Sequence, residues 1–195
     1  MRHALAILTV LFVVLNVQAE TTVWVADKAH SEVKFSVSHM VIAEVTGRFK
    51  EFDVTVRQNG DSFTDSEVEA VIKTNSIDTE VERRDNHLRS DDFLNAEKYP
   101  TMVFKSTSIE KTGRNTYKIN GNLTIRDVTK QVVLEALFRG EIKDGRGNLK
   151  RGFKATTIIN RFDFGANWNK TVETGGLIAG DDVEITLLME FNQQK

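Results

Sequence analysis

The chain of 195 residues carries 26 basic and 28 acidic side chains, so its formal net charge of −2 argues against binding nucleic acid by bulk electrostatic attraction. It contains no cysteine, which excludes disulfides and thiol chemistry. A chain of this length is typical of one domain that buries its own core without covalent cross-links.

The first residues predict a signal peptide over residues 1–19. Arg2 provides a basic start, Ala4–Val17 is an almost unbroken apolar run, and Ala19 ends a small-residue cleavage site. The run is shorter than the roughly 20 residues that a bilayer-spanning helix needs. We therefore expect cleavage to leave one domain, residues 20–195, in the periplasm of a Gram-negative bacterium.

Alternation of apolar and polar residues dominates the remaining sequence and predicts about eight strands, each with one buried face. An early run contains Val33, Phe35 and Val37, and Asn59-Gly60 predicts a hairpin turn between two further strands. The alternating runs after the first lie at 52–56, 68–72, 102–104, 117–125, 132–138, 153–159 and 183–191.

The alternation stops at about residues 78–99, where helix signals replace it. Thr79-Glu80-Val81-Glu82 has the form of a capping box, and Ser90 is a second candidate N-cap. One or two short helices are therefore predicted here. Pro100 then favours an extended chain, which begins the next strand.

Eight antiparallel strands with an apolar inner face predict an all-β, up-and-down barrel, because closure removes the exposed edges of an open sheet. A barrel of this size has room for one small ligand. A two-sheet sandwich with a solid core shows the same alternation and is the alternative.

Reactive groups are few in the sequence. After the signal peptide the histidines are His30, His39 and His87, and none has the spacing of a metal site. The adjacent carboxylates Asp91-Asp92 and Asp181-Asp182 would point to opposite faces of a strand. We therefore predict no catalytic residues, no metal site and no required cofactor.

One cluster of basic residues fits a helix that faces an anionic head group. Arg83, Arg84, His87 and Arg89 fall within two helical turns, with the first three at neighbouring positions. Acidic residues between 80 and 85 interleave with them. A solvated helix with internal ion pairs is therefore the simpler interpretation.

Several longer motifs carry a family resemblance. They are DKAHSEVKFSVSHM (27–40), VTGRF (45–49), RDNHLRSDDFL (84–94) followed by KYP (98–100), GNLTI (121–125) with VTK (128–130), and NRFDFG (160–165). With these motifs, the chain after residue 19 resembles the YceI-like family of polyisoprenoid-binding, lipocalin-like periplasmic proteins. Phe162 stands where the family pattern has serine, a small departure.

The resemblance implies an eight-stranded, lipocalin-like barrel that holds an isoprenoid lipid, such as a polyprenyl phosphate or a ubiquinone-like molecule. Alternation places twelve apolar residues on the inner wall, where each either contacts ligand or packs in the core: Phe35, Val37, Val54, Ile72, Phe104, Ile119, Leu134, Phe138, Ile159, Ile185, Leu187 and Met189. The polar candidates nearest to the family motifs are His39, Arg84, His87 and Arg161.

The expected function is transport, storage or protection of an isoprenoid lipid by a non-enzymatic binding protein. The expected partners are that lipid and, transiently, a membrane surface. A homodimer formed through exposed strand edges or a hydrophobic mouth is a further alternative. One alternative is an interaction or stress-response module that docks on a membrane electron-transfer protein. A second alternative is an enzyme that hydrolyses a lipid phosphate or ester. Such an enzyme would need a catalytic dyad or a metal ion at the pocket, and no pair of residues in the sequence requires one.

Overall fold

The computed structural model describes residues 20–171 and 178–194, so the predicted signal peptide lies outside the described residues. The described residues form eleven strand segments and one α-helix. The strands are β1 (Thr21–Ala26), β2 (Glu32–His39), β3 (Ala43–Phe49), β4 (Phe52–Asn59), β5 (Ser66–Lys73), β6 (Ile77–Asp78), β7 (Thr101–Lys111), β8 (Thr116–Ile125), β9 (Val128–Lys143), β10 (Leu149–Asn160) and β11 (Ala179–Gln193), and the helix is α1 (Glu82–Arg89). Short 3-10 turns occur at Phe63–Asp65, Thr74–Ser76 and Arg161–Phe164.

The eleven segments make eight long antiparallel strands of a closed barrel. β1 and β2 pair one after the other with the same edge of β11. On their other side, β4 pairs with β1, and β3 pairs with β2. β5 and β6 form the next interrupted strand, beside β4 and β3. β7 to β11 are continuous, and β11 closes the barrel on β1 and β2. The predicted eight-stranded antiparallel barrel is confirmed, and the sandwich alternative is wrong.

The interruptions of the three split strands lie next to each other. The backbone N–H of Lys73 donates to Glu51 O, and that of Lys50 donates to Ser76 O. The Ser76 hydroxyl oxygen also accepts from the Glu51 N–H at 3.0 Å. These bonds satisfy backbone groups where the regular ladder is broken.

Helix α1 is the one α-helix formed in the predicted break at 78–99. The capping box is not formed, because Thr79 donates its N–H and its hydroxyl to the Asp85 carboxylate at 2.9 and 2.5 Å, and Val81 begins the helix without a side-chain cap. Ser90 ends α1 by donating its N–H and hydroxyl to His87 O, and does not begin a second helix.

Half of the barrel is filled by side chains and is called the closed end below. The ring of Phe153 lies 4.8 Å from that of Phe63, 5.1 Å from Phe138 and 6.1 Å from Phe191, centroid to centroid. The guanidinium of Arg151 covers the buried Trp24 ring at 3.9 Å. Aromatic packing therefore fills this end of the barrel.

Gly121 allows close packing between β8 and its neighbour β7. The register shifts between Ser106 and Ser108, opposite Gly121 and Asn120, so the extra residue of the bulge lies on β7. A Cβ atom on Gly121 would overlap the ring of Phe104 and the Lys105 backbone oxygen. Glycine is therefore required here by the space available.

We expect Gly121→Ala to lower the free energy of unfolding by about 1–3 kcal/mol, because the added methyl group displaces Phe104 in a packed wall. Urea unfolding measures the loss. Gly145→Ala is the control, since a Cβ at Gly145 meets no atom within 4 Å. Equal stability of the two variants would show that Phe104 moves aside without cost.

Candidate functional site

The half of the barrel opposite the closed end encloses a cavity of about 340 Å³. Strands β2 to β5 and β7 to β11 supply most of its wall, because their inward positions carry aliphatic or aromatic side chains. Ten of the twelve predicted apolar residues line it: Phe35, Val37, Val54, Ile72, Phe104, Leu134, Ile159, Ile185, Leu187 and Met189. An apolar wall of this kind suits a hydrocarbon chain.

The other two predicted apolar residues lie at the closed end, outside the cavity wall. Ile119 is buried in β8, and Phe138 packs against Phe153. Both face inward, as alternation predicts. Their position along the strands places them away from the cavity. The alternation of apolar and polar residues indicates which face a side chain lies on, but not how far along the strand it lies.

All four predicted polar candidates also line the cavity: His39, Arg84, His87 and Arg161. They come from different elements: His39 ends β2, Arg84 and His87 lie on α1, and Arg161 follows β10. The structure therefore brings together sequence motifs that are far apart in the chain.

Arg161 is buried and bonded to the backbone on every nitrogen. Its Nε donates to Gly180 O at 2.7 Å, and its Nη2 donates to Ala179 O at 3.0 Å. Its Nη1 donates to the carbonyls of Ala166 and Trp168 at 2.6 and 2.8 Å. Burial lowers the pKa of Arg161, and the Asp181 carboxylate partly opposes that effect. Arg161 joins the segment after β10 to the start of β11.

Arg84 has a similar structural role at the start of α1. Its Nε donates to the Thr79 hydroxyl oxygen at 2.7 Å, and its Nη2 donates to Thr79 O at 2.7 Å. Thr79 is bonded in turn to the buried Asp85. These contacts fix α1 against the end of β6, so that one face of the helix covers the cavity.

His87 belongs to an aromatic group at the cavity wall. Its ring meets those of Phe93 and Trp168 edge-on, with centroids 5.0 and 5.3 Å apart, and its Nε2 lies 2.7 Å from Asp92 Oδ2. The alternation did not identify Phe93 and Trp168, because both lie in irregular segments. The motif at 84–94, which contains Phe93, was the available signal.

Helix α1 covers the cavity where the strand wall is incomplete. Within residues 20–171 and 178–194, β3 pairs with β6 only at Arg48 and Phe49. The rest of β3 pairs with β2 alone in that part of the chain. Val45 of β3 and Leu88 of α1 both line the cavity beside this gap. Helix α1 therefore completes the cavity wall where most of β3 has no second strand partner.

A separate polar cluster lies where the chain turns from β1 to β2. Ligand atoms of Asp27, His30 and Glu190 lie within 4.8 Å of one another. The Lys150 ammonium lies 2.6 Å from Glu190 Oε1 and 3.6 Å from Asp27 Oδ2. A cation from the chain itself therefore balances the two carboxylates. The Ala29 N–H donates to Asp27 Oδ1 and fixes the turn.

Asp27 is expected to make stability depend on pH in acid. The hydrogen bond with His30, assisted by bonds from Ala29 N–H and Asn192, lowers the pKa of Asp27 from 3.8 to about 2, against the opposing effect of burial. A lowered folded-state pKa stabilises the protein above the unfolded value, and this contribution is lost as pH falls from about 4 to about 2.

We therefore expect Asp27→Asn to be less stable than wild type near neutral pH, with the difference shrinking between about pH 4 and pH 2. Urea unfolding across this range measures it. Asp53→Asn is the control, because Asp53 is 63% exposed and its partner Lys28 is 61% exposed. A difference for Asp27→Asn that stays constant with pH would contradict the assignment.

Among the described residues, no helix combines the length and apolar composition required to cross a membrane.

The chain matches the family model described as YceI-like domain over residues 24–191. It is 37% identical over 196 residues to a UPF0312 protein of Ectopseudomonas mendocina (strain ymp), and the match covers 100% of both chains. Its structure is similar to that of the Campylobacter jejuni YCEI protein, with a TM-score of 0.71, 35% identity and coverage of 87% of this chain and 96% of that chain.

A fourth similarity concerns the fold alone. A polyisoprenoid binding domain from Saccharophagus degradans, implicated in plant cell wall breakdown, superposes with a TM-score of 0.63 at 14% identity. The match covers 91% of this chain and 99% of that domain.

Proposed function

Because the chain belongs to the YceI-like family, we propose that it binds the hydrocarbon chain of an isoprenoid lipid inside the barrel and acts as a binding protein, not as an enzyme. The observation that carries the proposal is the cavity of about 340 Å³, which is walled almost entirely by aliphatic and aromatic side chains. The fold shared with a polyisoprenoid binding domain supports the ligand class.

The energetics of transfer favour a carrier or a reservoir. Moving an apolar chain from water into the cavity is worth about 0.8 kcal/mol per CH₂ group. A lipid in a bilayer is already out of water, so little of this free energy separates the membrane from the barrel. Exchange is then close to balanced, which suits transport, storage or protection of the lipid.

The hydrogen bonds that Arg161 and Arg84 already make support a neutral head group, such as a quinone or an alcohol. Arg161 has backbone carbonyl partners on all three nitrogens, and Arg84 uses two of its nitrogens on Thr79. Four of the five N–H groups of Arg161 are already bonded, so a phosphate beside Arg161 would compete with backbone carbonyls for its donors. We therefore favour a ubiquinone-like lipid or a free polyprenol over a polyprenyl phosphate.

The arrangement of polar groups supports binding over catalysis. His87 and Asp92 form a histidine–carboxylate pair beside the cavity. In the part of the chain that the structure describes, no serine or threonine hydroxyl is bonded to the His87 ring, as a nucleophile would be. The predicted signal peptide supports action in the periplasm.

Native mass spectrometry tests the proposal directly. The chain is expressed with residues 1–19 in a Gram-negative host and recovered from the periplasmic fraction, and its bound lipid is extracted and identified. We expect cleavage after Ala19 and a stoichiometric isoprenoid lipid. A folded protein that carries no lipid, and that also does not bind added polyprenols and quinones, would contradict the proposal.

A further inference from the structure

The hairpin between β2 and β3 ends in exposed apolar side chains. Met40, Val41 and Ile42 are 40%, 72% and 90% exposed, and we call these three residues the hairpin tip. The other large apolar residues that are exposed in the described ranges are separated from one another along the chain, as is normal for a protein surface.

The backbone of the hairpin tip is held in a conformation that its residues disfavour. Met40 and Val41 have φ angles of 51° and 68°, and the Ile42 N–H donates to His39 O at 3.3 Å. Two positive φ angles are typical of the type I′ turn, which favours Asn-Gly. A β-branched valine at positive φ is strained, and strain of this kind persists mainly at functional sites.

The hairpin tip extends from the wall of the cavity. Val37 and His39 precede it, Val45 follows it, and all three line the cavity. The Met40 N–H donates to the carbonyl of Ile178, another lining residue, at 3.0 Å. The hairpin tip therefore lies directly beyond the cavity-lining ends of β2 and β3.

We propose that the hairpin tip inserts shallowly into a lipid bilayer and holds the cavity against the membrane from which its lipid comes; this inference rests on the proposed function. A narrow convex loop with apolar side chains suits insertion at the interface of a bilayer. The sequence from Met40 to Gly47 carries one charged residue, Glu44, so insertion of the tip leaves ionised groups in water.

The position of the tip next to the cavity argues for a membrane over a protein partner. A lipid that leaves a bilayer at the hairpin tip has to pass only the His39–Ala43 pair before it reaches Val37 and Val45. Because the tip lacks lysine and arginine, we expect its binding to depend on apolar burial and to gain little from anionic lipids.

The test compares Val41→Asn/Ile42→Ser with a matched control. Asparagine tolerates positive φ, so the double variant is expected to fold at least as well as wild type. The control is Ile142→Ser, which removes an apolar side chain that is 64% exposed on β9. Flotation with phosphatidylcholine vesicles measures membrane affinity, and transfer of geranylgeraniol from such vesicles measures loading.

We expect the double variant to lose about tenfold in vesicle affinity and in transfer rate, whereas Ile142→Ser behaves as wild type. Geranylgeraniol delivered by cyclodextrin should bind the double variant normally. Unchanged flotation of the double variant, or absence of flotation by wild type, would overturn the inference and would favour a protein partner for the tip.

The same design separates this inference from the proposed function. Wild-type protein that binds vesicles through the tip but refuses geranylgeraniol, polyprenols and quinones from cyclodextrin would contradict the proposed function alone. Protein that takes up these lipids normally, with flotation insensitive to the tip, would contradict the inference alone.

Discussion

Replacing Ile185 with tryptophan is expected to weaken isoprenoid binding by about 100-fold, or roughly 2.7 kcal/mol, while leaving the barrel folded. Ile185 lies on β11, lines the cavity and is half-buried. A larger side chain there projects into open space, and it therefore fills volume that the ligand would occupy. Filling a cavity does not carry the strain of enlarging a side chain in a closed core.

The control for this experiment is Ile158→Trp. Ile158 lies on the neighbouring strand β10 and is 65% exposed on the outer surface, so the same enlargement leaves the cavity unchanged. Isothermal titration with geranylgeraniol delivered by cyclodextrin measures both affinities, and urea unfolding confirms that both variants fold. Wild-type affinity in Ile185→Trp would place the ligand outside the barrel.

The second large effect concerns stability. We expect Arg161→Met to lower the free energy of unfolding by about 3 kcal/mol or more, because it leaves several backbone carbonyls without a donor in a buried site. The side chain of Arg161 is 6% exposed and donates to the carbonyls of Gly180, Ala179, Ala166 and Trp168. Methionine fills much of the same volume but donates no hydrogen bond.

Arg139→Met is the matched control, because Arg139 is exposed on β9 and a surface substitution of this kind usually changes stability by less than about 0.5 kcal/mol. Urea unfolding measures both variants. If Arg161→Met were as stable as Arg139→Met, the hydrogen bonds of Arg161 to these carbonyls would make no net contribution to stability, which would contradict its structural role.

The barrel was predictable because its strands alternate. Val54 and Ile72 face inward in the structure as the pattern indicates, and Leu187 and Met189 do the same on β11. The pattern reports the face of a sheet and not the position along it. For this reason it grouped Ile119, which packs at the closed end, with residues that line the cavity.

Irregular segments were harder to predict, since their contacts are set by tertiary structure. The local sequence around Thr79 favours a capping box, but Asp85 and Arg84 take up its hydrogen bonds in the folded chain. Trp168 reaches the cavity through an irregular segment in which alternation carries no information. The family motifs drew attention to His87 and Arg161, which line the cavity, but did not state what these residues bond.

The aligned interruptions in three neighbouring strands give the barrel wall an uneven stiffness. The breaks at 27–31, 50–51 and 74–76 form a seam, and β10 and β11 pass beside it without interruption. Bending along such a seam changes a few backbone dihedral angles and leaves the continuous ladders from β7 to β11 intact. We therefore expect the wall to bend more easily on the side that carries the β2–β3 hairpin than on the side formed by β7 to β11.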